Sequence, residues 1–323
     1  MQTLLPCVIG SLAMCASAHA GASLFWLRFE GGANNAALGP QTDISGGATA
    51  TPTGACFYST SVAPYAAAGT SCFNAGADFD YLTVADRPAF HAAGDFTLEL
   101  LARPASPYPN TGGATGHMIV TKQIFNTGVG ITSWGIGYDP PSRTFFAIVS
   151  IGGGATGGTQ YTPGSAVASP PGSWYHVALV YRRLGTEAHS ELYVNGTKRS
   201  DLVMPLTPVN YTGFPLYIGA GNYGSGGTDF FRRNFAGLID EVRFSSGALS
   251  PGQFLVPNCP GDINGDNQVD DADFVLFSAA YNILDCADPA MPSGCPSDLN
   301  ADGFVDDSDF TIFVIAYNQL LCP

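Results

Sequence analysis

Basic residues are scarce: 12 Lys and Arg stand against 26 acidic residues in 323 positions, a formal net charge of -14. With no basic patch the chain has no electrostatic footprint for nucleic acid. The deficit is uneven. From Cys259 to Pro323 there are twelve Asp and no Glu, Lys or Arg, a net of -12, whereas residues 1–258 hold fourteen acids and all twelve bases, a net of -2. After the first twenty residues no apolar run approaches the ~20 residues of a membrane span, so no spanning helix is expected. The motifs G-x-S-x-G and H-E-x-x-H are absent too, which removes the commonest serine-hydrolase and zinc-protease signatures.

Residues 1–20 (MQTLLPCVIGSLAMCASAHA) have a short apolar core and end in Ala18-His19-Ala20. This reads as a signal peptide with Gly21 as the mature start, and the protein as secreted, extracellular or held at the cell surface. Cys7 and Cys15 leave with it, so Cys56, Cys72, Cys259, Cys286, Cys295 and Cys322 remain. An even number after export points to disulfides. Cys56 with Cys72 would staple a 15-residue loop.

The acidic tail is a duplication. Shifted by 36 residues, CPGDINGDNQVDDADFVLFSAAYNILDC overlies CPSDLNADGFVDDSDFTIFVIAYNQLLC. Each copy places oxygen donors at positions 1, 3, 5, 9 and 12 of a twelve-residue loop, with a backbone carbonyl at position 7, the spacing of an EF-hand-type calcium loop. The first set is Asp262, Asn264, Asp266, Gln268, Asp270 and Asp273; the second is Asp298, Asn300, Asp302, Phe304, Asp306 and Asp309. Position 6 needs a left-handed backbone, which Gly303 and Asn267 tolerate. An all-oxygen donor set favours a hard cation over zinc, and two calcium ions are expected as cofactors.

Pro260-Gly261 and Pro296-Ser297 forbid a helix running into either loop, so only outgoing helices are predicted. Their apolar stripes are Phe274, Phe277, Tyr281 and Leu284, and Phe310, Phe313, Tyr317 and Leu320, which implies an antiparallel pair. Four tail cysteines allow three connectivities. Antiparallel packing brings the end of each helix beside the other loop, which selects Cys286–Cys295 and Cys259–Cys322. Residues 259–323, joined by a linker at 255–258, resemble a dockerin, most closely the dockerin-type tails of secreted planctomycete proteins. That resemblance implies a cohesin-like or other extracellular protein as partner. Loop positions 10 and 11, usually small hydroxyl residues in cellulosomal dockerins, are here Asp271-Ala272 and Asp307-Ser308.

Residues 21–254 show short alternating or apolar runs, among them FTLELL (96–101), TFFAIVS (144–150), YHVALVY (175–181) and LIDEVRF (238–244), with Asn195-Gly196 suited to a type I′ hairpin turn. Many short strands separated by turns predict an all-β sandwich. The stretches FDYLTVADRPAF, GDFTLELLARP, SWYHVALVYRRLGTEAHSELYVNGTKRS, LYIGAGN and FAGLIDEVRFSSGALSP resemble laminin G-like, concanavalin A-like jelly-roll domains of bacterial secreted proteins. The likeness implies that Trp174 and Val177 are core and that Asp240-Glu241 lies in a strand near the closing edge.

Glucanases on this fold need two carboxyls about 5 Å apart, supplied by a Glu-x-Asp-x-Glu strand that this sequence lacks. Asp240 and Glu241 are neighbours on a strand and should face opposite ways. His176 is expected to make a structural hydrogen bond. Tyr138, Asp139, Asn222, Tyr223 and Asp229 are candidates to line a sugar or peptide site. The leading reading is a secreted, non-catalytic protein whose sandwich recognises polysaccharide, glycoprotein or protein, tethered through the calcium-binding tail. A structural extracellular protein is the alternative, and a glycosidase the weaker one.

Overall fold

The computed structural model describes residues 21–63, 70–75, 80–109, 116–126, 129–152, 158–221, 234–255, 261–264, 269–292, 295–299 and 303–318. Two antiparallel sheets form a sandwich. In spatial order one sheet holds β14 (Thr197–Pro205), β13 (Glu187–Val194), β12 (Tyr175–Leu184), β7 (Phe96–Pro104), β16 (Gly237–Ser246), β5 (Cys72–Ala75) and β4 (Phe57–Ser59), with β1 (Ser23–Leu27) also on β16. The other holds β11 (Thr159–Tyr161), β10 (Thr144–Ile151), β9 (Val129–Asp139), β8 (His117–Asn126), β15 (Leu216–Ile218), β6 (Tyr81–Val84), β3 (Thr49–Thr53) and β2 (Gln41–Thr42). No helix of the described residues is long and apolar enough to cross a membrane.

The core lies between the sheets and is aromatic at its centre. Trp134 of β9 stacks on Phe244 of β16 with ring centroids 4.5 Å apart, and Phe90 and Phe96 close around them. Burying such rings supplies most of the driving force, and offset or edge geometries add to it. The hairpin between β13 and β14 turns at Asn195 (φ 49°) and Gly196 (φ 72°), the positive pair that Asn-Gly accepts with least strain.

YHVALVY and FTLELL read as nearly continuous apolar runs because both faces of their strands are covered. Val177, Leu179, Phe96, Leu98 and Leu100 point into the core, while Ala178, Val180 and Leu101 lie on the outer face. Leu249 and Phe254 pack on that outer face with Ala178, Val180 and Tyr193, so the chain folds back over the sheet after β16. Phe254 is 4% exposed, with its ring 5.2 Å from Tyr193 and 5.3 Å from His176. Trp174, expected in the core, instead sits half-buried on the outer face beside Leu101, whereas Val177 is core as expected. Residues 251–254 therefore belong to the packed sandwich.

In the tail, α1 (Asp271–Tyr281) and α2 (Asp307–Tyr317) follow the two loops. Truncating a buried Phe costs about 3–5 kcal/mol, so Phe254→Ala should lower stability by about 3 kcal/mol in urea titration. A protein ending at Leu255 should keep a cooperative transition. One ending at Gly247 should be destabilised at least as much as the point variant.

Candidate metal centre and binding face

The two loops are built alike. Asp270 and Asp306 are the N-caps of α1 and α2, accepting from the backbone of Ala272 and Ser308 at 2.8 Å. Three residues on, Asp273 and Asp309 complete capping boxes by accepting from the N–H of Asp270 (3.1 Å) and Asp306 (2.9 Å). Their second oxygens turn back into the loops. Asp273 accepts from Ile263 (2.7 Å) and Asn264 (2.9 Å), and Asp309 from Leu299 (2.7 Å). Both side chains are fully buried. Asp298 accepts from Gly303 at 2.9 Å, and Gly303 holds φ 94° at the position expected to be left-handed.

Asp262, Asn264, Asp270 and Asp273 of the first set, and Asp298, Phe304, Asp306 and Asp309 of the second, are thus described, whereas Asp266, Gln268, Asn300 and Asp302 lie outside the described residues. The donor set of each loop is all oxygen, the chemistry a hard cation takes. A carboxylate offers about four lone-pair sites, so the three backbone bonds of Asp273 leave room for a metal. The tail contains no Lys or Arg to neutralise it.

The helices pack antiparallel through Phe277 and Phe313, stacked at 4.9 Å. The Tyr281 hydroxyl donates to Asp307 at the start of α2, and that of Tyr317 to Asp271 at the start of α1. The buried stripe differs from the sequence reading. It runs Asp273, Phe277, Ala280 and Asp309, Phe313, Ala316, with Phe274 45% and Leu284 49% exposed, because the capping carboxylate must face inward and Leu284 falls beyond the helix at φ 70°. Leu320 lies outside the described residues.

Cys286 and Cys295 form a disulfide with Cα atoms 5.5 Å apart, whereas Cys259 and Cys322 lie outside the described residues. Cys56 and Cys72 are not joined, contrary to the pairing read from the sequence. Cys72 is opposite Ser59 in the ladder, which puts Cys56 three residues further along the partner strand, about 10 Å at strand rise and beyond the ~7 Å Cα limit of a disulfide. Burial pushes their thiols up, Cys56 to about 11 and Cys72 to about 12, the latter helped by the charge of Asp240.

On the sandwich, Tyr138 is a core residue, fully buried, with its hydroxyl donating to Ser169 O at 3.0 Å. Asp139 accepts from Gly116 and Ser142 and closes a turn. Tyr138 is therefore not presented to a ligand, whereas Asp139 is partly exposed. Asn222, Tyr223 and Asp229 lie outside the described residues.

Glu99, Asp240 and Glu241 of this sheet are engaged internally. Glu99 accepts from Arg243 Nε (2.7 Å), the backbone of Leu255 (2.7 Å) and meets His176 Nε2 at 2.9 Å; Glu99 and His176 are fully buried. Glu241 takes bonds from Trp26 Nε1 and Arg28 Nε (2.8 Å). A bulge after Asp240 shifts the register between Asp240–Leu101 and Arg243–Glu99, and Glu241 sits at φ 49°. The simple alternation read from the sequence therefore fails at Asp240-Glu241. Asp240 accepts from the N–H of Glu241 itself and is sealed from solvent.

Residues 75–253 match the family model of the concanavalin A-like lectin/glucanases superfamily, in its laminin G form. The chain belongs to this superfamily. Among curated proteins no relative matches. The laminin G-like sandwich is similar to the solved binding domain of Paraclostridial Mosquitocidal Protein 1, with TM-score 0.50 and 13% identity over 71% of this chain and 50% of that one. It is also similar to the botulinum neurotoxin serotype D binding domain, with TM-score 0.50 and 11% identity over 72% and 50%. The chain spans about half the length of these structures, and the likeness is one of fold.

Within the laminin G-like sandwich, burial and then the neighbouring Glu241 push Asp240 up to about 9. The folded state keeps a proton that the unfolded chain releases above its ordinary value of about 3.9. This contribution is thus fully present at low pH and is lost as pH rises from about 4 towards 9. Asp240→Asn should flatten that decline and gain stability relative to the native protein at pH 8, read from urea midpoints at pH 5 and pH 8.

Proposed function

We propose that this is an exported, non-catalytic binding protein in which the laminin G-like sandwich recognises a glycan or protein and a calcium-loaded, dockerin-like tail tethers it. The observation that carries the non-catalytic reading is the fate of the carboxyls: Glu99, Glu191 and Glu241 are all buried and each is held by a basic side chain, Glu191 by Lys198 and Arg182. Retaining glycoside hydrolysis requires an acid and a nucleophile facing one open cleft, and these groups are committed to holding strands together. The fold neighbours are named for binding, which agrees with this reading.

For the tail, the reading rests on the twice-repeated donor spacing of the sequence, supported by the like capping of both helices by buried Asp273 and Asp309. Asp262, Asn264, Asp266, Asp270 and Asp273 would hold one calcium ion, with the Gln268 carbonyl; Asp298, Asn300, Asp302, Asp306 and Asp309 the other, with that of Phe304. Bound calcium would neutralise the tail's charge and add folding stability by linkage. The helices leave Val275 63% and Ile315 60% exposed, an apolar surface suited to a cohesin-like or other extracellular partner. Residues 1–20 fit export.

Calorimetric titration of the full chain with calcium should find two sites, and Asp273→Ala and Asp309→Ala should each abolish one. A single stoichiometry unchanged by both variants would exclude the loop assignment. A glycan array with calcium present tests the sandwich; silence there, together with calcium-driven self-association, would favour a structural extracellular protein.

A further inference from the structure

A cleft of about 410 Å³ opens at the end of the sandwich where β7 begins and β12 ends. That lies within the ~300–1,000 Å³ typical of small-molecule sites. His91, Tyr181, Arg183, Leu206, Val209 and Tyr211 line it, drawn from the turn before β7, the end of β12 and the stretch after β14. Its floor is preassembled. The His91 ring lies flat on Tyr211, centroids 4.9 Å apart at 8°, while the Tyr211 hydroxyl donates to Ala92 O at 3.0 Å. His91 is anchored through Nε2 to Asp86 Oδ1 at 2.8 Å, and that carboxylate also meets the buried Lys122 at 3.1 Å. The other imidazole nitrogen, Nδ1, is left for a ligand.

Arg183 gives Nε to Asp95 (2.8 Å) and Nη1 to Ala93 O (3.0 Å), which fixes the guanidinium at the rim. A Cβ on Gly94 would lie 2.9 Å from Nη2, so glycine leaves the head group its place. The Arg183 side chain is 45% exposed and that of His91 33%, so both can be reached from solvent. No Asp or Glu lines the cleft itself; the nearest carboxylates, Asp95 and Asp86, stand behind Arg183 and His91 as their partners. Apart from tyrosine its ionisable lining is Arg183 and His91, in a protein with only 12 Lys and Arg.

We propose that this cleft binds an acidic saccharide, a uronic-acid type of sugar whose carboxylate meets Arg183 and whose C–H face lies on the His91–Tyr211 stack and the side chains of Leu206 and Val209. With Nε and Nη1 held by Asp95 and Ala93, Nη2 is the nitrogen of Arg183 left to give a carboxylate a charge-assisted hydrogen bond. Flat rings and short apolar side chains suit the amphipathic face of a pyranose, which matches a cleft with one guanidinium at its rim, ion-paired to Asp95, and apolar side chains within. The inference rests on the glycan-binding reading and gives it a place and a ligand class.

The test uses the full-length protein and an oligogalacturonate tetrasaccharide, with its methyl-esterified counterpart and a hexaglutamate peptide as comparisons. The acid form should bind, and the ester should bind at least tenfold more weakly. Arg183→Gln should cost about tenfold, since it removes a charge-assisted hydrogen bond. Leu206→Trp, at an exposed rim position, should obstruct the cleft and weaken binding while leaving the thermal midpoint in place. Equal affinity for the ester, no binding of the tetrasaccharide, native affinity in both variants, or tighter binding of hexaglutamate would each overturn the proposal. If another glycan is captured on an array and both variants retain it, this cleft is excluded while glycan binding by the sandwich stands. If no glycan is captured at all, the broader reading falls with it.

Discussion

One carboxylate holds four segments of the sandwich in register. Glu99, at the middle of β7, meets His176 of β12, Arg243 of β16 and the backbone of Leu255, and is itself fully buried. A charge in that position is tolerable only while its hydrogen bonds are made, because a buried ion that loses a partner costs several kcal/mol. The arrangement therefore links the centre of the sheet to the strap that covers it. Arg243 also donates to Gln253 O at 3.0 Å, so the short turn at Pro251–Gln253 is held from the same cluster that holds the strands. The apolar half of the contact, Leu249 and Phe254 on Ala178, Val180 and Tyr193, keeps water from the ion cluster. Each half depends on the other.

The bulge at Asp240-Glu241 extends this network towards β1. With one residue added between the pairs Asp240–Leu101 and Arg243–Glu99, the strand presents Arg243 towards Glu99 and Glu241 towards Arg28 and Trp26. The Trp26 ring then lies between two guanidinium groups, each 5.6 Å from its centroid. Cation–π attraction adds to a stack already fixed by hydrogen bonds. Asp240 bears the cost of this local geometry, buried beside another acid with one oxygen unsatisfied and its proton retained. Of these two adjacent acids, Glu241 holds Arg28 and Trp26, while Asp240 bonds only the backbone of Glu241.

The strands were legible because burial on both faces writes itself as continuous apolar runs, and Asn195-Gly196 announced its turn through backbone chemistry alone. What could not be read is what depends on register. Cys56 and Cys72 are separated by a loop length that suits a disulfide, yet the ladder sets them about three strand residues apart. Tyr138 looked like a loop aromatic, although its neighbour Trp134 and the alternation of β9 carry it into the core. In the tail, the antiparallel pairing followed from the repeat, but the buried stripe did not. Periodicity favoured Phe274, whereas the capping role of Asp273 rotates the helix so that a carboxylate takes the inward position. The cleft around Arg183 and Tyr211 left no sequence signal, since its walls come from three separated segments.

The tail depends on a different economy of contacts. Helices of 11 residues are marginal in water by themselves, shorter than the ~12–15 residues at which isolated helices begin to persist. Each is supported at its start by the aspartates of its own loop and at its end by a tyrosine bond to the start of the other helix. The Asp at loop position 12 therefore serves helix initiation and loop closure together. In the proposed calcium form the same side chain would also reach the ion, so metal binding, capping and helix pairing would draw on shared groups. The stacked rings of Phe277 and Phe313 sit between the repeats and make the pairing mutual. The hydroxyls of Tyr281 and Tyr317 tie the end of each helix to the start of the other, so the two repeats share contacts that neither could make alone.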